Sequence, residues 1–132
     1  LPTLSGDTLS LSDLKGKIVL LDFFYTTCAP CCAALPALQS LHEKYKDKGF
    51  VMVGIDPIDN TENVDMDKFL SKRGITYTIL FASSEISKTY HVYAYPTLFL
   101  IDRDGNIVTI VEGFSKDMES DLEEKLVELL EK

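Results

Sequence analysis

At 132 residues, 45% hydrophobic and 26% charged, the chain is sized for one globular domain covering residues 1–132, which buries roughly two-thirds of its unfolded surface. A net charge of −8, with 13 Lys and Arg scattered along the chain, argues against a nucleic-acid partner, which requires a basic footprint. No apolar run approaches the roughly 20 residues of a membrane-spanning helix, and the three cysteines all fall within Cys28-Ala29-Pro30-Cys31-Cys32, too close together to staple distant parts of a fold.

The chain opens at Leu1 with no signal peptide in view, inside what reads as a strand, so it is expected to be a piece of a longer exported precursor. After the turn-forming Ser5-Gly6-Asp7, Thr8-Leu9-Ser10-Leu11 alternates polar and apolar residues, predicting a short N-terminal β-hairpin and a turn through residues 12–16. Residues 17–25 (KIVLLDFFY) are a nearly continuous run of apolar, β-branched and aromatic side chains, the pattern of a central strand covered on both faces. Asp22 is the anomaly in its middle. Over residues 31–48 the apolar positions Cys31, Ala34, Leu35, Leu38, Leu41 and Tyr45 make a helical stripe, with Pro36 predicting a kink and Gly49 ending the helix.

A second buried strand is predicted over 50–56, a helix over 64–73 with Val64, Phe69 and Leu70 inward, a strand over 77–82 and a short helix over 85–90. Strands over 97–102 (TLFLID) and 107–112 (IVTIVE) flank Arg103-Asp104-Gly105-Asn106, whose Asp-Gly pair favours a tight antiparallel hairpin. An amphipathic helix over 116–131 closes the chain, with Met118, Leu122, Leu126 and Leu129 on one face and Ser115 as its N-cap. The alternation predicts an α/β fold, a mixed central sheet with helices on both faces.

A Cys-x-x-Cys at the end of a buried strand and the start of a helix has a specific chemical logic, because helix N-terminal amides and the helix dipole stabilise a thiolate. Cys28 is expected at the N-cap, exposed and with a lowered pKa, and Cys31, one turn on, shielded. Thiolate attack on a partner disulfide makes a mixed disulfide at Cys28, which Cys31 resolves. Pro30 suits the first helical turn, where its missing amide hydrogen costs little. The other reading of the pair is half a zinc site, but of the remaining candidates Cys32, His42 and His91, none forms a second paired motif. No metal or cofactor is expected.

The stretch FFYTTCAPCCAALPAL resembles the active-site segment of the thioredoxin superfamily, in particular its exported TlpA/ResA-like branch of thiol-disulfide oxidoreductases. The similarity runs from the N-terminal hairpin to the last helix. Three features match in register: the Cys-x-Pro-Cys, Pro36 five residues after Cys31, and Tyr95-Pro96-Thr97 just before the TLFLID strand, where the family carries its cis-proline loop. The resemblance implies a thioredoxin-like fold with an extra helix, within residues 56–73, inserted between central strands. It implies a redox-active Cys28–Cys31 disulfide and a cis Tyr95–Pro96 bond lying against the cysteines, with Tyr95, Pro96, Thr97 and Thr27 forming the substrate-binding surface.

Asp22 lies six residues before Cys28, the spacing of the buried aspartate in thioredoxins. That match implies a raised pKa and a role as proton acceptor for Cys31 during resolution, against the plainer reading of a hydrogen-bonded structural acid. The lysine that accompanies this aspartate in thioredoxins has no counterpart between Phe50 and Asn60. Thr27 stands where the family usually has Trp, making the surface beside Cys28 smaller and more polar. Cys32 is turned about 100° from Cys31 and is either a spectator thiol or a third redox group. Asp56 and Asp59 lie near the position of a glutamate that tunes the cysteines in ResA-like proteins, but their register leaves both outside the predicted site. His42 and His91 read as structural or surface residues.

The expected function is disulfide reduction on exported proteins, since Ala-Pro between the cysteines resembles the Gly-Pro of reducing thioredoxins. The expected partners are protein thiols and disulfides and an upstream redox donor, with the chain monomeric and periplasmic or otherwise extracytoplasmic. Two rivals remain. A peroxiredoxin needs a Pro-x-x-x-Thr/Ser-x-x-Cys frame, whose positions here hold Leu21 and Tyr25. A copper chaperone of the Sco type would use Cys28, Cys32 and a distal histidine, for which His91 is the candidate.

Overall fold

Six consecutive buried residues form the central strand β1 (Ile18–Phe23), and the sheet grows outward from it on both sides. The computed structural model describes residues 14–132, so the predicted N-terminal hairpin lies outside the described residues. After β1 come α1 (Ala29–Tyr45), a 3-10 turn (Lys46–Lys48), β2 (Phe50–Asp56), α2 (Met66–Arg73), β3 (Thr78–Phe81), α3 (Ser84–Thr89), β4 (Thr97–Ile101), β5 (Ile107–Glu112) and α4 (Met118–Leu130). The strand order is β3-β2-β1-β4-β5. β1 pairs parallel with β2 and antiparallel with β4, so the sheet is mixed, as the alternation predicts.

Side chains alternate across the sheet, and each face has its own cover. Ile18, Leu20, Met52, Ile79, Leu98 and Leu100 face a core shared with α1, α2 and α4, whereas Val19, Leu21, Phe23, Val53, Ile55 and Phe99 pack toward Ile86 and Tyr90 at α3. Each such fully buried side chain is worth roughly 1.5–3 kcal/mol of transfer free energy. Asp22 sits on the first face, opposite Gly54 of β2 and Leu98 of β4.

Several boundaries differ from the sequence reading for local reasons. The first helix starts at Ala29 with Cys28 as its N-cap, as expected, but it ends at Tyr45, and a 3-10 turn carries the chain to Gly49 at φ 86°. Val64 lies in the turn before α2, whose cap is Asp65, accepting from the Lys68 N–H at 3.1 Å. Ser115 is not the N-cap of α4. Asp117 holds that place without a side-chain cap bond, and Ser115 contributes only its carbonyl, to the Met118 N–H. In the β4–β5 hairpin the Asp102 carboxylate accepts from the amides of Asp104 and Asn106, and Gly105 takes a left-handed φ of 86°.

Candidate active site

β1 delivers the chain into the loop Phe24–Thr27, and α1 begins at once with Cys28 as its N-cap. Cys28 and Cys31 are joined by a disulfide across the first turn, with Cα atoms 5.2 Å apart. The Cys31 N–H also donates to Cys28 Sγ at 3.2 Å, so the sulfur satisfies one of the helix's orphan amides. Cys31 is fully shielded, as the sequence reading has it. Cys28 is not exposed, however: only 4% of its surface is accessible, and its sulfur is bonded to that of the shielded Cys31. The neighbouring Thr27, Ala29 and Pro30 are exposed and form the visible rim of the site.

The Tyr95–Pro96 peptide is cis, as the resemblance implies, and its loop is brought beside the cysteine loop by an edge-on contact between Tyr95 and Tyr25, ring centroids 5.4 Å apart. Tyr95 is fixed at its other end by a hydrogen bond between its hydroxyl and that of Ser87 at 2.9 Å. The Pro96 carbonyl accepts from the Gly113 N–H at 2.8 Å. Thr97 differs from its expected place on the substrate surface. It is buried in β4 and its hydroxyl donates to the Ala94 carbonyl at 2.7 Å, so it shapes the loop from inside. Tyr93, 78% exposed, is the large side chain that this loop presents to solvent.

Asp22 is completely buried, and among the described residues neither carboxyl oxygen has a hydrogen-bond partner. Burial alone raises its pKa from 3.8 to about 7. The carboxyl faces the core that also contains Cys31, Ala34 and Leu35 of α1.

Of the two acids left outside the expected site, Asp59 bonds the cysteine loop directly and Asp56 braces Asp59. Asp59 Oδ2 accepts from the Thr26 N–H at 2.7 Å, two residues before Cys28. Asp56, buried at the end of β2, accepts from the amides of Ile58 and Asp59 at 3.0 and 2.8 Å through Oδ1. Burial and then the side-chain bond to Asp59 raise the Asp56 pKa to about 7, against the pull of the two amides. For Asp59, burial is outweighed by the bonds from Asp56 and Thr26, and its pKa falls. Among the described residues Asp56 Oδ2 meets no hydrogen-bond partner. The available signal was Asp56-Pro57-Ile58-Asp59 at a strand end, a sequence suited to an Asx turn.

Cys32 is a half-buried free thiol whose Sγ–H donates to the Thr26 carbonyl at 3.5 Å. His91 is exposed, with φ 56°, at the far end of α3. Among the described residues no group of three His, Cys, Asp or Glu side chains is placed to hold a metal ion.

A mixed sheet whose central strand leads into a helix capped by a Cys-x-x-Cys disulfide, with a cis-proline loop alongside, is a thioredoxin-like fold. The AhpC/TSA family model matches residues 1–110, and the chain belongs to that family. Its relatives include the thiol-disulfide oxidoreductase ResA of Bacillus thuringiensis subsp. konkukian (strain 97-27), 36% identical over 111 residues and 83% of this chain; the chain spans 63% of that protein's length. The thioredoxin-like protein YneN of Bacillus subtilis (strain 168) is 37% identical over 126 residues, 93% of this chain and 74% of that protein. A candidate thiol:disulfide interchange protein DsbE from Chlorobium tepidum has a related structure, with a TM-score of 0.89 at 34% identity, covering 98% of this chain and 91% of that one. The family resemblance and fold read from the sequence agree with these relatives.

Proposed function

We propose that the chain is a thiol-disulfide oxidoreductase working through Cys28 and Cys31, and that it reduces disulfides of exported proteins. The observation that carries this reading is the disulfide closing the first turn of α1, with the Cys31 amide already directed at Cys28 Sγ. Once the disulfide is opened by an upstream dithiol donor, that amide and the α1 N-terminus stabilise a thiolate on Cys28. The Cys28 thiolate attacks a partner disulfide, forming a mixed disulfide. Cys31 gives its proton to Asp22 and attacks Cys28 Sγ, the partner leaves as a thiolate, and the Cys28–Cys31 bond returns. Tyr95, Pro96 and the exposed Thr27 border the approach to Cys28, and Thr97 holds the cis-proline loop in shape.

A chain with this activity serves where disulfides persist, which supports a periplasmic or other extracytoplasmic site. One copy contains every residue the cycle uses, so the reading is of a monomer. The absent peroxiredoxin frame, Leu21 and Tyr25 in place of Pro and Thr/Ser, favours disulfide exchange over peroxide chemistry. The test is insulin-disulfide reduction under a dithiol reductant: Cys28→Ser is expected to fall to the uncatalysed rate, and sustained turnover by that variant overturns the nucleophile assignment. Equilibration with glutathione buffers, with the two redox forms counted by mass, fixes the direction.

A further inference from the structure

Buried polar atoms in proteins nearly always have a hydrogen-bond partner. Among the described residues five buried side-chain atoms have none, and four of them belong to three neighbouring residues: both oxygens of Asp22, the hydroxyl of Tyr77 and Nδ1 of His42. The three are physically linked. Gly54, the β2 residue opposite Asp22, has no side chain, and a Cβ there would stand 3.5 Å from Tyr77 Cε1 and 2.5 Å from Ile79 Cδ1. The glycine thus lets the Tyr77 ring lie across the strand next to Asp22, close enough for the Asp22 charge, after burial, to oppose ionisation of the phenol. On the other side of Tyr77 stands the His42 ring, edge-on at 5.9 Å between centroids.

The linkage is held from outside. Gln39, one turn before His42 on α1, accepts from the Thr76 N–H at 3.0 Å and donates to the Thr76 hydroxyl at 2.7 Å, which fixes the residue before Tyr77. His42 is half-buried and so reaches the surface of α1. The charged groups around it are Lys46, Glu43 and Asp47, whereas burial is what acts on Asp22.

We propose that Tyr77 and His42, bridged to Asp22 by ordered water, form a path that carries the proton of Asp22 away from the cysteines to the surface of α1. This rests on the reading of Asp22 as proton acceptor for Cys31. Water suits the site because these buried polar atoms have no protein partner and each can bond it. In the resolving step the Cys31 S–H bond breaks, its proton goes to Asp22, the Cys31–Cys28 bond forms and the Cys28–partner bond breaks, its electron pair leaving on the partner sulfur. The proton then moves from Asp22 through water to the Tyr77 hydroxyl, which accepts one proton as it releases its own toward His42 Nδ1, and His42 passes a proton to solvent. Tyr77 and His42 act through Asp22 and are positioning residues for its proton.

The experiment compares single-turnover reduction of insulin disulfides, across pH and in light and heavy water, for the wild type, Asp22→Asn, Tyr77→Phe, His42→Phe and the Asp22→Asn/Tyr77→Phe double variant. Asp22→Asn is expected to slow resolution roughly 100-fold, the low end of what a positioned general base supplies. Tyr77→Phe and His42→Phe each slow it several-fold and change its pH profile and solvent isotope effect, and the double variant is no slower than Asp22→Asn alone. Urea midpoints within the wild-type range accompany the losses in Tyr77→Phe and His42→Phe. An unchanged pH profile in both Tyr77→Phe and His42→Phe, or a Tyr77→Phe effect equally large in the Asp22→Asn background, overturns the path while leaving Asp22 in place. An Asp22→Asn rate equal to wild type overturns the reading of Asp22 and the path with it.

Discussion

Cys28 and Cys31 share one turn of helix but not one environment. Cys28 Sγ receives an amide at the helix N-terminus and borders exposed Thr27 and Ala29, whereas Cys31 is sealed under the helix on the Asp22 side of the sheet. That asymmetry supports the proposed order, attack by the first cysteine and resolution by the second. Cys31→Ser is accordingly expected to accumulate mixed disulfides between Cys28 and its partners, seen as mass adducts that reductant removes. The anomaly of Asp22 was visible in the sequence, because an acid in a run such as KIVLLDFFY has no evident solvent. Its lack of any partner was not, since that depends on Gly54 and Leu98 from two other strands. Cys28 is likewise expected in the open from its place at the N-cap, yet it is buried, because accessibility depends on the surrounding loops and not on spacing.

Among the elements, β2 and β5 match their sequence bounds residue for residue, because Gly49 and the Asp102–Asn106 turn punctuate the chain clearly on the two sides that were in doubt. The α4 start was misplaced because Ser115 looks like a cap in sequence while the helix forms only after a turn through Asp117. In α1, Pro36 lies inside the helix and cannot donate to the Cys32 carbonyl, so the turn bearing the cysteines is less tightly tied to the rest of the helix. β2 is the least tolerant element: Gly54→Ala would place a methyl 2.5 Å from Ile79 Cδ1 and 3.0 Å from Phe24 Cε1. Overpacking of this kind costs about 1–3 kcal/mol, expected as a lower urea midpoint with an unchanged slope.

Over the whole molecule, burial of two acids ties stability to pH. Asp22 and Asp56 keep protons up to about pH 7 when folded and release them near 3.8 when unfolded. Between those values the folded chain binds more protons, so its stability is greatest at the acid end, falls as pH rises and levels off above about pH 7. Asp59, held below its ordinary value, acts in the opposite sense at lower pH. Asp22→Asn is expected to remove much of the slope, on the order of 4 kcal/mol for a shift of this size, measured as urea unfolding at pH 4.5 and 8; an unchanged slope would show that Asp22 ionises freely. Class of fold, element order and the cysteine pair were legible along the chain. What was not legible is where distant segments meet: Asp59 on Thr26, Gln39 on Thr76, Tyr95 on Tyr25. These contacts follow from strand order, which local patterns do not encode. The bare backbone at Gly54 also bears on how such a chain can drift. Its emptiness is shared property, used at once by the ring of Phe24 after one neighbouring strand and by Tyr77 and Ile79 at another, so a descendant with a larger residue there must give up volume among those three. Gly54, Phe24, Tyr77 and Ile79 should change as a set.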